Sequence, residues 1–156
     1  VNSKKFTDKL VIEYPPSDNE LSQYVGYIVK EPTYRIAQNA ENLVTVFTSG
    51  LSVSGAYAYD VTADSLKKFG LDDPDFQMTM DIKGTKLTYK FAAQEDGDYA
   101  AVNDDSKLIS KVSASSVSSF IDSELIDFYS SWICLYSIDD ISNLNIKKRL
   151  RAAFFV

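Results

Sequence analysis

Adjacent acidic residues are the side chains whose type and spacing come nearest to chemistry in this sequence. They stand at Asp72-Asp73, Asp104-Asp105 and Asp139-Asp140, with a looser cluster at Glu95, Asp96 and Asp98. Two carboxylates facing each other across a cleft hydrolyse glycosidic bonds, and alternating carboxylates in a glycine-bearing loop hold calcium. Each pair falls in a stretch that reads as a turn, where aspartate is favoured because its side chain bonds nearby backbone. The run at 95–98, EDGD, lacks the alternating oxygens of a D-x-D-x-D-G loop. Solvated turns are the leading reading for all of them.

Other chemistries are short of parts. The chain has no histidine, which removes Ser-His-Asp and Cys-His nucleophile systems, His-based zinc sites and the usual base near neutral pH. Cys134 is the only cysteine and lies between Ile133 and Leu135. No cation or helix start stands beside it to favour the thiolate, so it reads as a small buried apolar side chain. The six glycines are scattered and form neither G-x-G-x-x-G nor a Walker pattern. These residues therefore give no catalytic, cofactor-binding or metal-ligating set, and no cofactor is expected.

Two clusters suit interaction rather than reaction. Trp132 with Tyr129 and Tyr136 offers an aromatic platform for a sugar or a protein, set against core packing, which carries more weight. Lys147, Lys148, Arg149 and Arg151 offer a basic patch for anionic lipid or a partner, set against a solvated strand end. The net charge of −6, from 22 acidic and 16 basic residues, opposes general nucleic-acid binding. No run of about 20 apolar residues is present to span a membrane. The chain begins at Val1 rather than methionine, which fits either a removed leader or anchor or an excised fragment.

The elements that must position these residues follow from period and punctuation. At 156 residues the chain is expected to form a single domain, 1–156, with sub-lobes at 1–60 and 61–146 and an atypical, truncated-looking tail at 147–156. A chain of this size buries roughly 68–70% of its unfolded surface, enough for a core without staples. Ten tyrosines and nine phenylalanines suit half-buried sheet faces. Residues 9–14 (KLVIEY) and 24–30 (YVGYIVK) read as strands of a long-looped hairpin, the second stopped by Pro32. Leu43, Val46, Phe47 and Leu51 share a helical face after Asn39. Residues 52–60 read as a strand with a bulge at Gly55.

The central stretch, residues 61–82, is VTADSLKKFGLDDPDFQMTMDI. Thr62 is placed to cap a helix, Asp64 suits its first turn, Gly70 ends it and Pro74 prevents its return. Phe76, Met78, Met80 and Ile82 then alternate with polar residues, Lys83-Gly84 turns the chain, and Leu87, Tyr89 and Phe91 alternate on the way back. A second hairpin is expected from 99–102 and 108–112, turned at 103–106. A further helix is predicted from Ser113, with Val117, Phe120, Ile121 and Phe128 on one face. Its start echoes that at Thr62, which fits an internal duplication or, more plainly, two strand-to-helix joints needing a hydroxyl cap. Residues 130–136 (SSWICLY) and Ile141, Leu144 and Ile146 read as a short apolar segment and a last strand. The predicted fold class is α+β: mostly antiparallel sheet built from β-hairpins, with about three helices packed on one side.

At residues 65–74, SLKKFGLDDP, the sequence resembles the bacterial domain-of-unknown-function family 4340. The likeness lies in a leucine, a lysine step, an aromatic, Gly-Leu-Asp and a proline before a hairpin, and extends more loosely from about Thr7 to about Ile146. The resemblance implies envelope-associated bacterial proteins, often with an N-terminal anchor or export signal, some beside gliding-type ABC transporter components. It implies no catalytic residues. The function expected is a non-catalytic cell-envelope module, exported or membrane-anchored through a segment outside this chain, that binds a protein or supports a transporter assembly. The alternative is a small-ligand or carbohydrate-binding domain, or a hydrolase using paired carboxylates.

Overall fold

A computed structural model describes residues 1–14, 27–32, 35–40, 43–44 and 50–129. The strands are β1 (Asn2–Ser3), β2 (Val11–Glu13), β3 (Ile28–Glu31), β4 (Arg35–Ile36), β5 (Val53–Ala58), β6 (Phe76–Ile82), β7 (Thr85–Ala93), β8 (Tyr99–Asn103) and β9 (Ile109–Val112). Two α-helices are described over their full length, α1 (Ala63–Lys68) and α2 (Ala114–Ile121), followed by a 3-10 turn at Leu125–Phe128. The chain is thus α+β with mostly antiparallel sheet.

Among the described residues the larger sheet has six strands in the order β1-β6-β7-β8-β9-β5, and the smaller has three in the order β2-β3-β4. Every pairing among these strands is antiparallel. The β6–β7 hairpin runs in unbroken register from Phe76↔Phe91 to Ile82↔Thr85. Its two-residue loop has φ of 54° at Lys83 and 86° at Gly84, the doubly left-handed turn whose twist matches the flanking strands. Asp81 Oδ1 accepts the Gly84 N–H at 2.9 Å and fixes it.

Helix α1 forms as its residues dictate. Thr62 Oγ1 accepts the Ser65 N–H at 3.1 Å, and Ser65 Oγ accepts the Thr62 N–H at 2.8 Å. This reciprocal box satisfies two donors that a helix start leaves unpaired. At the other end the Leu71 N–H donates to Leu66 O at 2.8 Å and the Gly70 N–H to Lys67 O at 3.2 Å, with Gly70 at φ 71°. That pair is the glycine-terminated helix stop, and Leu71 folds back fully buried beside Leu66.

The helices do not share one side of the sheet, which corrects the expected arrangement. Val117, Phe120 and Ile121 of α2 pack with Phe76, Met78, Phe91, Ala101 and Val112, joined by Leu10, Val29 and Phe128. Leu66 of α1 packs with Phe69, Leu71, Ala92, Ala100, Val102 and Ile109. Phe91 and Ala92 are strand neighbours, as are Ala100 and Ala101, so the two clusters lie on opposite faces. Strand β8, with Ala100, Ala101 and Val102 all buried, is covered on both sides, which is why it reads as an apolar run rather than an alternation.

Two further expectations change. The helix begun at Ser113 ends at Ile121 instead of running on to Phe128. Phe128 reaches the same core from the separate 3-10 turn, where Asp127 Oδ2 accepts the Glu124 N–H at 2.8 Å. Ser113 does not cap its helix: its hydroxyl bonds Ser115 Oγ at 2.8 Å. The helix expected near 39–51 lies largely outside the described residues, of which Ala40, Leu43 and Val44 are helical. The segments expected at 130–136 and 141–146, the turn at Asp139-Asp140 and the tail at 147–156 also lie outside them.

Candidate functional site

Strand β5 is irregular where it meets β9. Its register slips between Val53 and Gly55 and again between Ala56 and Ala58. The first slip accords with the bulge expected at Gly55. The second makes Tyr57 an extra residue, and such bulges bend a strand and re-aim a side chain. Tyr57 turns toward the five-residue turn 94–98 that joins β7 to β8. Its hydroxyl lies 2.7 Å from Asp96 Oδ1 and 2.9 Å from Asp96 Oδ2.

Lys111 of β9 completes the group. It shares a strand face with the fully buried Ile109, and its partly exposed ammonium meets counter-charges at the edge of that face. Its Nζ lies 2.6 Å from Asp96 Oδ2, 3.2 Å from Asp98 Oδ2 and 5.4 Å from the centre of the Tyr57 ring. Asp98 Oδ1 also accepts the Ala114 N–H at 3.4 Å. Gln94 anchors the other end of the turn, its Nε2 donating to Phe69 O at 3.0 Å and Ala92 O at 3.1 Å. An open cleft of about 560 Å³ lies beside this group, lined by Tyr57, Lys68, Phe69, Gln94, Glu95 and Asp96. The Tyr57 and Phe69 rings stand 5.5 Å apart at 37°.

The charges move one another's proton affinities apart. The Lys111 hydrogen bond, followed by that of Tyr57, lowers the Asp96 carboxyl to about 2. Burial, reinforced by the Asp96 hydrogen bond, pushes the Tyr57 hydroxyl up to about 12. Asp96 and then Asp98 raise Lys111 above its ordinary range. General acid–base catalysis works best with groups tuned toward the operating pH. This trio is tuned away from neutrality: Asp96 stays ionised while Tyr57 and Lys111 keep their protons, and the bonds among them fix the turn.

Several of the carboxylates singled out in the sequence, and Asp75 close to one pair, are likewise engaged by nearby backbone or a lysine. Asp96 and Asp98, from the run weighed as a calcium loop, both face the Lys111 ammonium. Among the described residues no group of three His, Cys, Asp or Glu side chains is placed to hold a metal ion. Asp104 Oδ2 accepts the Thr88 N–H at 2.8 Å, and Asp75 Oδ2 accepts the Ala93 N–H at 2.7 Å. Asp73 and Asp75 flank Lys4 at 3.3 and 3.1 Å. Tyr129 follows the 3-10 turn, forms an isolated bridge with Ala37 and packs partly buried against the larger core cluster. Trp132, Tyr136, Cys134, Lys147, Lys148, Arg149 and Arg151 lie outside the described residues.

Reasoning from the sequence did not bring Tyr57, Asp96 and Lys111 together, since 39 and 15 positions separate the bonded pairs. The available signal was Lys111 itself, a cation two residues from Ile109 on what becomes a buried strand face. The chain matches no family model, no curated protein and no solved structure.

Proposed function

We propose that this chain is a non-catalytic module of the bacterial cell envelope that binds a protein partner, with components of an ABC transporter assembly as the class to test first. The observation that carries the reading is the closed Tyr57–Asp96–Lys111 group, whose charges are spent on one another beside an open cleft. Such a group makes a rigid rim, suited to being held by a partner rather than to turning over a substrate. The likeness of residues 65–74 to the family named above supports membership of that family and extracytoplasmic or membrane-associated placement, through a segment outside this chain. Among the described residues no helix is long and apolar enough to cross a membrane. The same reading keeps a third helix near 39–51, supported by the helical backbone at Ala40 and Leu43 and the burial of both.

Cross-linking in the native cell followed by identification of the captured proteins tests this. Recovery of an envelope protein is expected, and recovery of cytosolic proteins alone would overturn it. The paired Tyr57 and Phe69 rings at the cleft favour one second reading, a small-ligand or carbohydrate binder. A thermal-shift screen against metals, nucleotides and sugars separates the two, because a tight ligand stabilises by mass action. A rise of several degrees with one specific sugar or nucleotide would favour the second.

A further inference from the structure

We infer that the turn at 94–98 is a latch through which the end of α1, on one face of the sheet, sets the order of the first turn of α2 on the other. Helix α2 has little of its own to hold its start. It is eight residues long, ASSVSSFI, with four serines, no acidic residue in its first turn and no side-chain bond from its N-cap Ser113. Short helices are marginal without outside support, and serine competes with the helix for backbone partners. The support comes from across the sheet, where Asp98 Oδ1 accepts the Ala114 N–H.

Asp98 is in turn held by the rest of the latch. Its second oxygen faces Lys111, and Lys111 is fixed on Asp96, which Tyr57 also bonds. The turn is closed by the Gln94 N–H to Asp98 O at 2.9 Å and the Gly97 N–H to Gln94 O at 3.0 Å. Gln94 grips the residue that caps α1 through Phe69 O. A contiguous set of bonds therefore runs from Phe69 O to the Ala114 N–H. The element with two states is the first turn of α2, ordered or frayed.

Hydrogen exchange on the whole chain, read at the amides of residues 116–118 and at Leu71, tests the coupling. Asp98→Ala is expected to speed exchange at 116–118 by about five-fold, the effect of losing a helix cap. Gln94→Ala removes only bonds to Phe69 and Ala92, yet is expected to speed exchange at 116–118 by about two-fold or more as well as at Leu71. The double variant is expected to exceed the larger single effect by less than the product of the two. Wild-type exchange at 116–118 in either single variant would overturn the latch, as would strict multiplication in the double. Should Gln94→Ala unfold, Gln94→Asn, which keeps an amide but shortens it, is read by the same criteria.

Discussion

Lys111 Nζ and Asp96 Oδ2 lie 2.6 Å apart, although one belongs to a central strand and the other to a turn. The contact joins β9 to the loop between β7 and β8, and Tyr57 brings the neighbouring strand β5 onto the same carboxylate. Both charged side chains keep some solvent exposure, so the pair is screened by water and salt. Its weight lies in fixing geometry: one carboxylate sets the position of three elements.

Acid should dissolve this arrangement in a definite window. Asp96 has its pKa lowered from 3.8 to about 2 by Lys111 and Tyr57. A depressed carboxyl contributes stability that is present above the unfolded value and lost as pH falls through the folded one. Thermal midpoints measured from pH 6 down to pH 2 should show wild type losing its margin over Asp96→Asn between about pH 4 and pH 2. Parallel curves through that window would contradict the assignment.

Alkali acts on Tyr57 in the opposite sense. Its hydroxyl is raised from 10.0 to about 12 by burial and by Asp96. The folded protein therefore keeps this proton while the unfolded chain gives it up, so stability falls as pH climbs from 10 toward 12. Ultraviolet titration of phenolate should show Tyr57→Phe losing one late-ionising tyrosine relative to wild type, while Tyr99, also raised by burial, remains. A difference spectrum centred at pH 10 would show that the hydroxyl is not held.

The two helix starts should answer differently to the same kind of substitution. Thr62 makes a reciprocal capping box with Ser65, so Thr62→Ala is expected to cost about 1 kcal/mol, with Thr62→Ser close to wild type. Ser113 makes no capping bond, so Ser113→Ala should stay within about 0.5 kcal/mol. Urea denaturation of the three variants measures this. Equal losses at Thr62 and Ser113 would refute the distinction.

Gly70 tests backbone conformation apart from crowding. A Cβ there would lie 3.5 Å from the Ala92 Cβ, an ordinary contact, whereas φ is 71°. Gly70→Ala is expected to cost about 1–2 kcal/mol from the left-handed backbone alone, and Gly70→Asn less, because asparagine tolerates that region. Denaturant midpoints in the order Gly, Asn, Ala confirm this, and Ala equal to Gly would exclude it.

The sequence by itself determined the features whose causes are local. Thr62 and Gly70 bound α1, Lys83-Gly84 turns the hairpin, and the alternation from Phe76 to Phe91 sets its buried face, because caps, turns and a period of two depend on near neighbours. Gly55 likewise marked the irregular strand β5. Only the tertiary structure decided which face of the sheet each helix covers, since a helix shows its apolar stripe without naming the surface that receives it. It also decided that Asp98, not Ser113, supports α2, and that Asp96 is shared by Tyr57 and Lys111. Those contacts join residues 15 to 39 positions apart through strand order and bulges, and a charge on a strand carries no record of the turn that folding will bring beside it.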